Sequence, residues 1–121
     1  MTVEEEVRAF NDAYERALAE QDVGALVSLH TDDARLMMAG HPMIKGRQAI
    51  EKVFRAWLKE GPVSTRFETD EVLADGNLVI DIGHTIAAGG RSKYVVVHRR
   101  QPDGSLRIAI DAPTSDGAAT D

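Results

Sequence analysis

Three dipeptides, Asp75-Gly76, Gly89-Gly90 and Asp103-Gly104, punctuate the second half of the chain. Each is a signal for a two-residue hairpin, because the tight turns that match strand twist need residues that tolerate positive φ. From Val63 onward they divide the sequence into four antiparallel strands of roughly 10–12 residues. The first half has a different period. Val3, Val7, Phe10, Tyr14 and Leu18 recur at helical spacing and predict an amphipathic helix over about residues 3–20. Thr2 suits the N-cap, and Glu4 to Glu6 suit the positive end of the helix dipole. Asp22 caps a short second helix, "VGALVSL". "HTDDA" reads as a turn, "RLMMA" as a short strand stopped by "GHP". After Gly46, the residues Ile50, Val53, Phe54, Trp57 and Leu58 form one apolar stripe of a third helix, ended by Gly61-Pro62. Helices followed by a meander define an α+β fold with the helices on one face of a curved sheet.

The chain has 121 residues, room for one core. The domain is expected over residues 1–112, with 113–121, "PTSDGAATD", as a flexible polar tail. The net charge of −6 argues against a nucleic-acid or anionic-membrane surface. Cysteine is absent, which excludes thiol catalysis, disulfides and thiolate metal sites. The acidic start "MTVEEEV" has no apolar core of a signal peptide, and no apolar run reaches the ~20 residues of a membrane span. A cytoplasmic protein is expected.

Counting back from the hairpins pairs Ile86 with Lys93, His84 with Val95, Ile82 with Val97 and Ile80 with Arg99. It also pairs Val97 with Ile110 and Arg99 with Ile108. Paired residues share a face. Ile80, Ile82, Ile86, Val95, Val97, Ile108 and Ile110 therefore make one aliphatic surface, with His84 in its middle and Phe67 beside it. That surface is expected to meet the helices, since each buried Leu, Ile or Phe contributes roughly 1.5–3 kcal/mol. The opposite face, Asp81, Gly83, Thr85, Tyr94, Val96, His98, Arg107, Ala109 and Asp111, is expected to point outward, where its mixed character suits an interface between two copies.

The segments "DDARLMMAGHPMIKGRQAI" and "VHRRQPDGSLRIAID", in this order of elements, resemble the SnoaL-like branch of the nuclear-transport-factor-2-like superfamily, which includes ketosteroid isomerases and scytalone dehydratase. The resemblance spans about residues 3–116 and implies a cone: a curved sheet wrapped around the long first helix, with an apolar pocket at its wide end. It also implies a homodimer paired through the outer face of the sheet. In ketosteroid isomerases a helix tyrosine supports the oxyanion, and Tyr14 falls on that position. Met38 occupies the position of the usual base, and no acid stands at Val95–Val97, where the second carboxyl belongs. A working ketosteroid isomerase of the usual kind is therefore not implied. SnoaL-type cyclases use a late-strand aspartate assisted by a histidine, for which Asp111 and His84 or His98 are the candidates. The strand count sets Asp111 and His84 on opposite faces.

The candidate catalytic residues are thus His84, Tyr14 and Asp111, and no cofactor is required. Phe10, Tyr14, Met38, Phe54, Trp57, Phe67 and His84 are the candidate ligand-binding residues. Each has a plainer alternative: His84 a satisfied core histidine, Tyr14 a rim aromatic, the others core packing. His30, Asp32 and Asp33 match metal ligands by type, but the aspartates suit the turn. Three functions stay open: a pocket for an apolar or aromatic small molecule that acts on it as a cyclase or isomerase of secondary metabolism, a non-catalytic binder, and a dimerisation module with a filled pocket.

Overall fold

The computed structural model describes residues 1–115. Three helices, α1 (Val3–Ala19), α2 (Val23–Ser28) and α3 (Arg47–Leu58), cover one side of a six-stranded sheet. Its strands are β1 (His30–Leu36), β2 (Ile44–Lys45), β3 (Thr65–Asp75), β4 (Leu78–Ala87), β5 (Gly90–Arg100) and β6 (Leu106–Ser115). The spatial order is β2-β1-β6-β5-β4-β3; β1 runs parallel to β6, and every other pairing is antiparallel. The sheet is curved and does not close. The α+β architecture with three helices and a long first helix is the expected one.

The helix starts follow from local chemistry. Thr2 accepts from the Glu5 amide while the Glu5 carboxylate accepts from the Thr2 amide, a reciprocal capping box. Asp22 accepts from the Ala25 amide at the start of α2. α1 buries Val7, Phe10, Tyr14, Ala17 and Leu18. α3 buries Ile50, Phe54 and Leu58. Their stripes meet over the sheet with Leu36, Val79, Leu106 and Ile108 from the strands. Among the described residues, no helix is long and apolar enough to cross a membrane.

Several local expectations are corrected. "HTDDA" is not a turn but the first part of β1. Main-chain pairing with β6 wins over the turn preference of Asp32 and Asp33, and a register shift between His30 and Arg35 absorbs the irregularity. The turns lie one residue from their predicted places: Ala87 pairs with Gly90 around Ala88-Gly89, and Asp75 with Leu78 around Gly76-Asn77. Arg100 pairs with Leu106, so a five-residue loop replaces the expected two-residue turn at Asp103-Gly104. β6 runs on to Ser115, which takes Pro113 and Thr114 out of the expected tail and into the sheet. The rest of that tail, residues 116–121, lies outside the described residues.

The larger correction concerns the faces. The hairpin keeps the expected sets together, since moving both partners of each β4–β5 pair preserves parity. The sets are nevertheless inverted. Val79, Asp81, Tyr94 and His98 are buried against the helices, while Ile86 and Val95 are each 40% exposed on the outside. The pairings His98↔Ile108 and Val97↔Ile110 leave Ala109 as an extra residue in β6. This bulge turns Ile108 inward, away from the face shared by Val97 and Ile110, and leaves Asp111 inward opposite Val96. The aliphatic residues mark the outer face because the inner one must accommodate large aromatic side chains and the rings of α1 and α3.

Candidate functional site

Between the sheet's inner face and the helices lies a cavity of about 320 Å³. Phe10 and Tyr14 of α1, Phe54 and Trp57 of α3, Phe67 of β3 and Met38 after β1 all line it. The rings pack against one another: Tyr14 meets Phe67 edge-on at 5.2 Å between centroids, and Phe54 stacks with Trp57 at 6.1 Å. Trp57 is 46% exposed, so its ring borders both the cavity and solvent.

Two polar groups of this lining, one from α1 and one from β6, are the chemically useful ones. Asp111, brought inward by the β6 bulge, lines the cavity. Burial among apolar groups pushes its carboxyl up to about 6. Among the described residues no side chain donates a hydrogen bond to it. Tyr14 lines the same cavity, and burial, with the Asp111 charge adding to it, holds its phenol well above the ordinary range. The tyrosine thus stays protonated and able to donate, while the aspartate is mostly ionised at neutral pH and able to accept. A proton acceptor and a hydroxyl donor in an apolar enclosure are the two groups that proton transfer next to a carbonyl needs.

A second polar group forms part of the wall. Asp81 is fully buried, and its Oδ2 accepts from Asn11 Nδ2 and from the Tyr94 hydroxyl, each at 3.1 Å. Burial first, and the Asp81 charge next, hold the Tyr94 phenol well above its usual range. Asn11 and Tyr94 line the cavity; Asp81 stands behind them. Deeper in the core lie His98 and His30. His98 packs edge-on against Phe10 at 4.5 Å, and burial, helped by His30, lowers its imidazole to about 4. His30 places Nδ1 2.7 Å from the Leu26 carbonyl oxygen and is likewise lowered, first by burial. Both are neutral at pH 7.

His84 does not belong to this site. It lies on the outer face, with Nδ1 3.0 Å from Asp70 and Nε2 3.2 Å from Glu68. The expectation of a pocket acid or base at His84 fell with the face assignment, and so did the outward placement of Asp81, Tyr94, His98 and Asp111. Asn11, Asp81 and Tyr94 are the site residues that sequence reasoning missed. One signal was available: Gly83 sits directly opposite Tyr94 on the same face. A glycine beside a large ring marks the side where a side chain crosses the neighbouring strand. His30, Asp32 and Asp33, which match metal ligands by type alone, are split across β1, His30 buried and the two aspartates exposed. Among the described residues no three His, Cys, Asp or Glu side chains are grouped to hold a metal ion.

A six-stranded curved sheet closing an apolar cavity with a long helix defines a fold class that commonly binds small molecules. The SnoaL-like domain model matches residues 7–109, and the chain belongs to that family. Solved structures share the fold. A ketosteroid isomerase-like protein from Erwinia carotovora atroseptica superposes with a TM-score of 0.70 at 21% identity, covering 93% of this chain and 95% of that one. A nuclear-transport-factor-2-like protein with a cystatin-like fold from Novosphingobium aromaticivorans gives 0.75 at 23% identity, over 96% and 84%. A cystatin-like domain of unknown function from Nostoc punctiforme gives 0.79 at 16% identity, over 98% and 82%. At these identities the likeness is one of fold. No curated protein matches the chain.

Proposed function

We propose that the cavity binds an apolar or aromatic carbonyl compound and that Asp111 moves a proton on it, as in a cofactor-free isomerase or cyclase of secondary metabolism. The observation that carries this reading is the Asp111 carboxyl, raised to about 6 in a cavity that also holds the Tyr14 hydroxyl. The cavity volume falls in the range of small-ligand sites. In the proposed step the Asp111 carboxylate takes the proton from the carbon next to the carbonyl. The C–H electron pair becomes a C=C bond as the carbonyl π pair moves onto oxygen. The enolate oxygen accepts a hydrogen bond from Tyr14. Return of the proton from Asp111 to the same or another carbon regenerates the carboxylate, so no oxidant or cofactor is consumed.

The test is exchange of the α-protons of 2-tetralone in D₂O, followed by NMR. Wild-type protein should accelerate exchange, Asp111→Asn should remove the acceleration, and Tyr14→Phe should reduce it on the order of 10²-fold. Equal exchange by Asp111→Asn and wild type would overturn the role of Asp111. Saturable binding without exchange would establish the non-catalytic binder.

We further propose that two copies pair through the outer face of the sheet. Leu73, Leu78, Ile86 and Val95 are between 39% and 50% exposed there, alongside half-buried Ile80, Ile82 and Val97. A face carrying this much aliphatic surface can match a second copy of itself about a two-fold axis. A monomer in sedimentation at micromolar concentration would refute it.

A further inference from the structure

We infer that the ligand of this cavity carries a hydroxyl group, read by the side-chain carbonyl oxygen of Asn11, and that Asp81 is the positioning residue that sets this preference. The inference rests on the cavity being the binding site proposed above.

It follows from counting hydrogens in the wall. A carboxylate only accepts hydrogen bonds. Asp81 Oδ2 takes one from Asn11 Nδ2 at 3.1 Å, which fixes the amide with its NH₂ toward β4. The same nitrogen lies 3.5 Å from Thr69 Oγ1. Both N–H groups of Asn11 are therefore directed into the wall, and what its side chain has left for the cavity is the carbonyl oxygen, an acceptor only. The single hydroxyl hydrogen of Tyr94 goes to Asp81 as well, so Tyr94 offers the cavity its ring and no donor.

The elements that hold this arrangement are costly to keep. Asp81 is a fully buried acid, and its Oδ1 has no partner among the described residues. Gly83 gives up its side chain so that the Tyr94 ring can cross β4 to reach it. An apolar wall would serve packing alone. Asn11 also stands three residues from Tyr14, one turn along the same face of α1. The cavity thus presents a donor at Tyr14 and, one turn away, an acceptor at Asn11. The complement is an aromatic or alicyclic carbonyl compound with a hydroxyl group on its skeleton. An ether or a second carbonyl at that place would set acceptor against acceptor.

The test compares the calorimetric Kd of 2-naphthol with that of 2-methoxynaphthalene for wild type and three variants. Wild type should prefer the naphthol by about tenfold, the worth of one hydrogen bond. Asp81→Asn presents an amide that can itself donate, which frees Asn11 to turn its NH₂ to the cavity. The preference should then fall to about twofold or reverse, a change in selectivity that lost stability alone would not produce. Asn11→Ser keeps a donor for Asp81 and removes the carbonyl, and should lose the preference too if Asp81→Asn does not fold. Asp111→Asn should retain it. Equal wild-type affinities for the two probes would overturn the inference. So would a preference that survives Asp81→Asn and Asn11→Ser but disappears in Asp111→Asn; that result assigns the hydroxyl to Asp111 and leaves the proposed function standing. Failure of both probes to bind would overturn the inference together with the cavity reading.

Discussion

Tyr94 lies across Gly83 so closely that a β-carbon on the glycine would come within 2.5 Å of the phenol oxygen and 2.7 Å of its ring carbon. The backbone carbonyl of Glu68 would be closer still. Gly83→Ala must therefore push apart both a neighbouring strand and the ring that reaches Asp81. We expect a loss of about 3 kcal/mol or more in urea unfolding, at the upper end of overpacking costs because backbone has to move. A loss below about 0.5 kcal/mol, the size of an ordinary surface change, would contradict this packing.

Asp111→Asn should separate stability from function. It replaces a carboxylate that no donor among the described residues compensates with a neutral group of the same shape. At pH 8 it should raise unfolding stability by roughly 1–3 kcal/mol while removing proton exchange from the bound ketone. Lower stability would mean that the carboxylate has a partner in the fold.

The buried ionisable groups set two opposite pH dependences. His98 is lowered to about 4, so between that value and its unfolded 6.5 the unfolded chain holds more protons. Stability then falls as pH falls from 6.5 towards 4, by up to about 3 kcal/mol for this group alone. Asp111 is raised from 3.8 to about 6, so the folded state holds the extra proton in that window. Its contribution is complete below 3.8 and is lost as pH rises through 6. Unfolding free energies measured from pH 4 to 7 should show a flatter acid limb in His98→Leu and a steeper one in Asp111→Asn. Parallel curves for all three proteins would contradict the assignments.

For the reaction, kcat/KM for exchange should rise with pH through an apparent pKa near 6, because the base form of Asp111 does the work. A profile that falls across that range would point to an acid instead.

Arg100, the last residue of β5, joins that strand to α1 by paired hydrogen bonds to Glu6, at 2.7 and 3.0 Å. The guanidinium holds the Glu6 carboxyl below its usual range. Both side chains are partly open to solvent, so Glu6→Gln should cost only about 1 kcal/mol, less in high salt. A cost that 1 M salt leaves unchanged would show the pair to be shielded.

The sequence by itself determined the three helices and the four long strands that follow them, but not the full extent of β1 or the short β2. Helical spacing in Val7, Phe10, Tyr14 and Leu18, and glycine at the β3–β4 and β4–β5 turns, are local signals. A helix stripe or a tight turn is decided by residues a few positions apart. Pairing parity in the β4–β5 hairpin was legible for the same reason, since a hairpin count depends only on the turn. Which face of the sheet looks inward was not. Alternation distinguishes two faces without labelling them, and here aliphatic residues mark the outer one. The label comes from contacts between residues far apart in the chain: Asn11 with Asp81, Phe10 with His98, Tyr14 with Phe67. The β6 bulge compounds the difficulty, because one extra residue at Ala109 lets Ile108 and Asp111 both face inward against the count of two. The lining by Phe10, Tyr14, Phe54 and Trp57 could be anticipated, since those residues lie on helix stripes, whereas Phe67 pairs with Thr85 on the inner face and not with the His84 set in which the count placed it. The polar groups that give the cavity its chemistry are placed by strand pairing and a bulge, and only the tertiary structure decided that Asp111 enters the cavity and His84 stays outside.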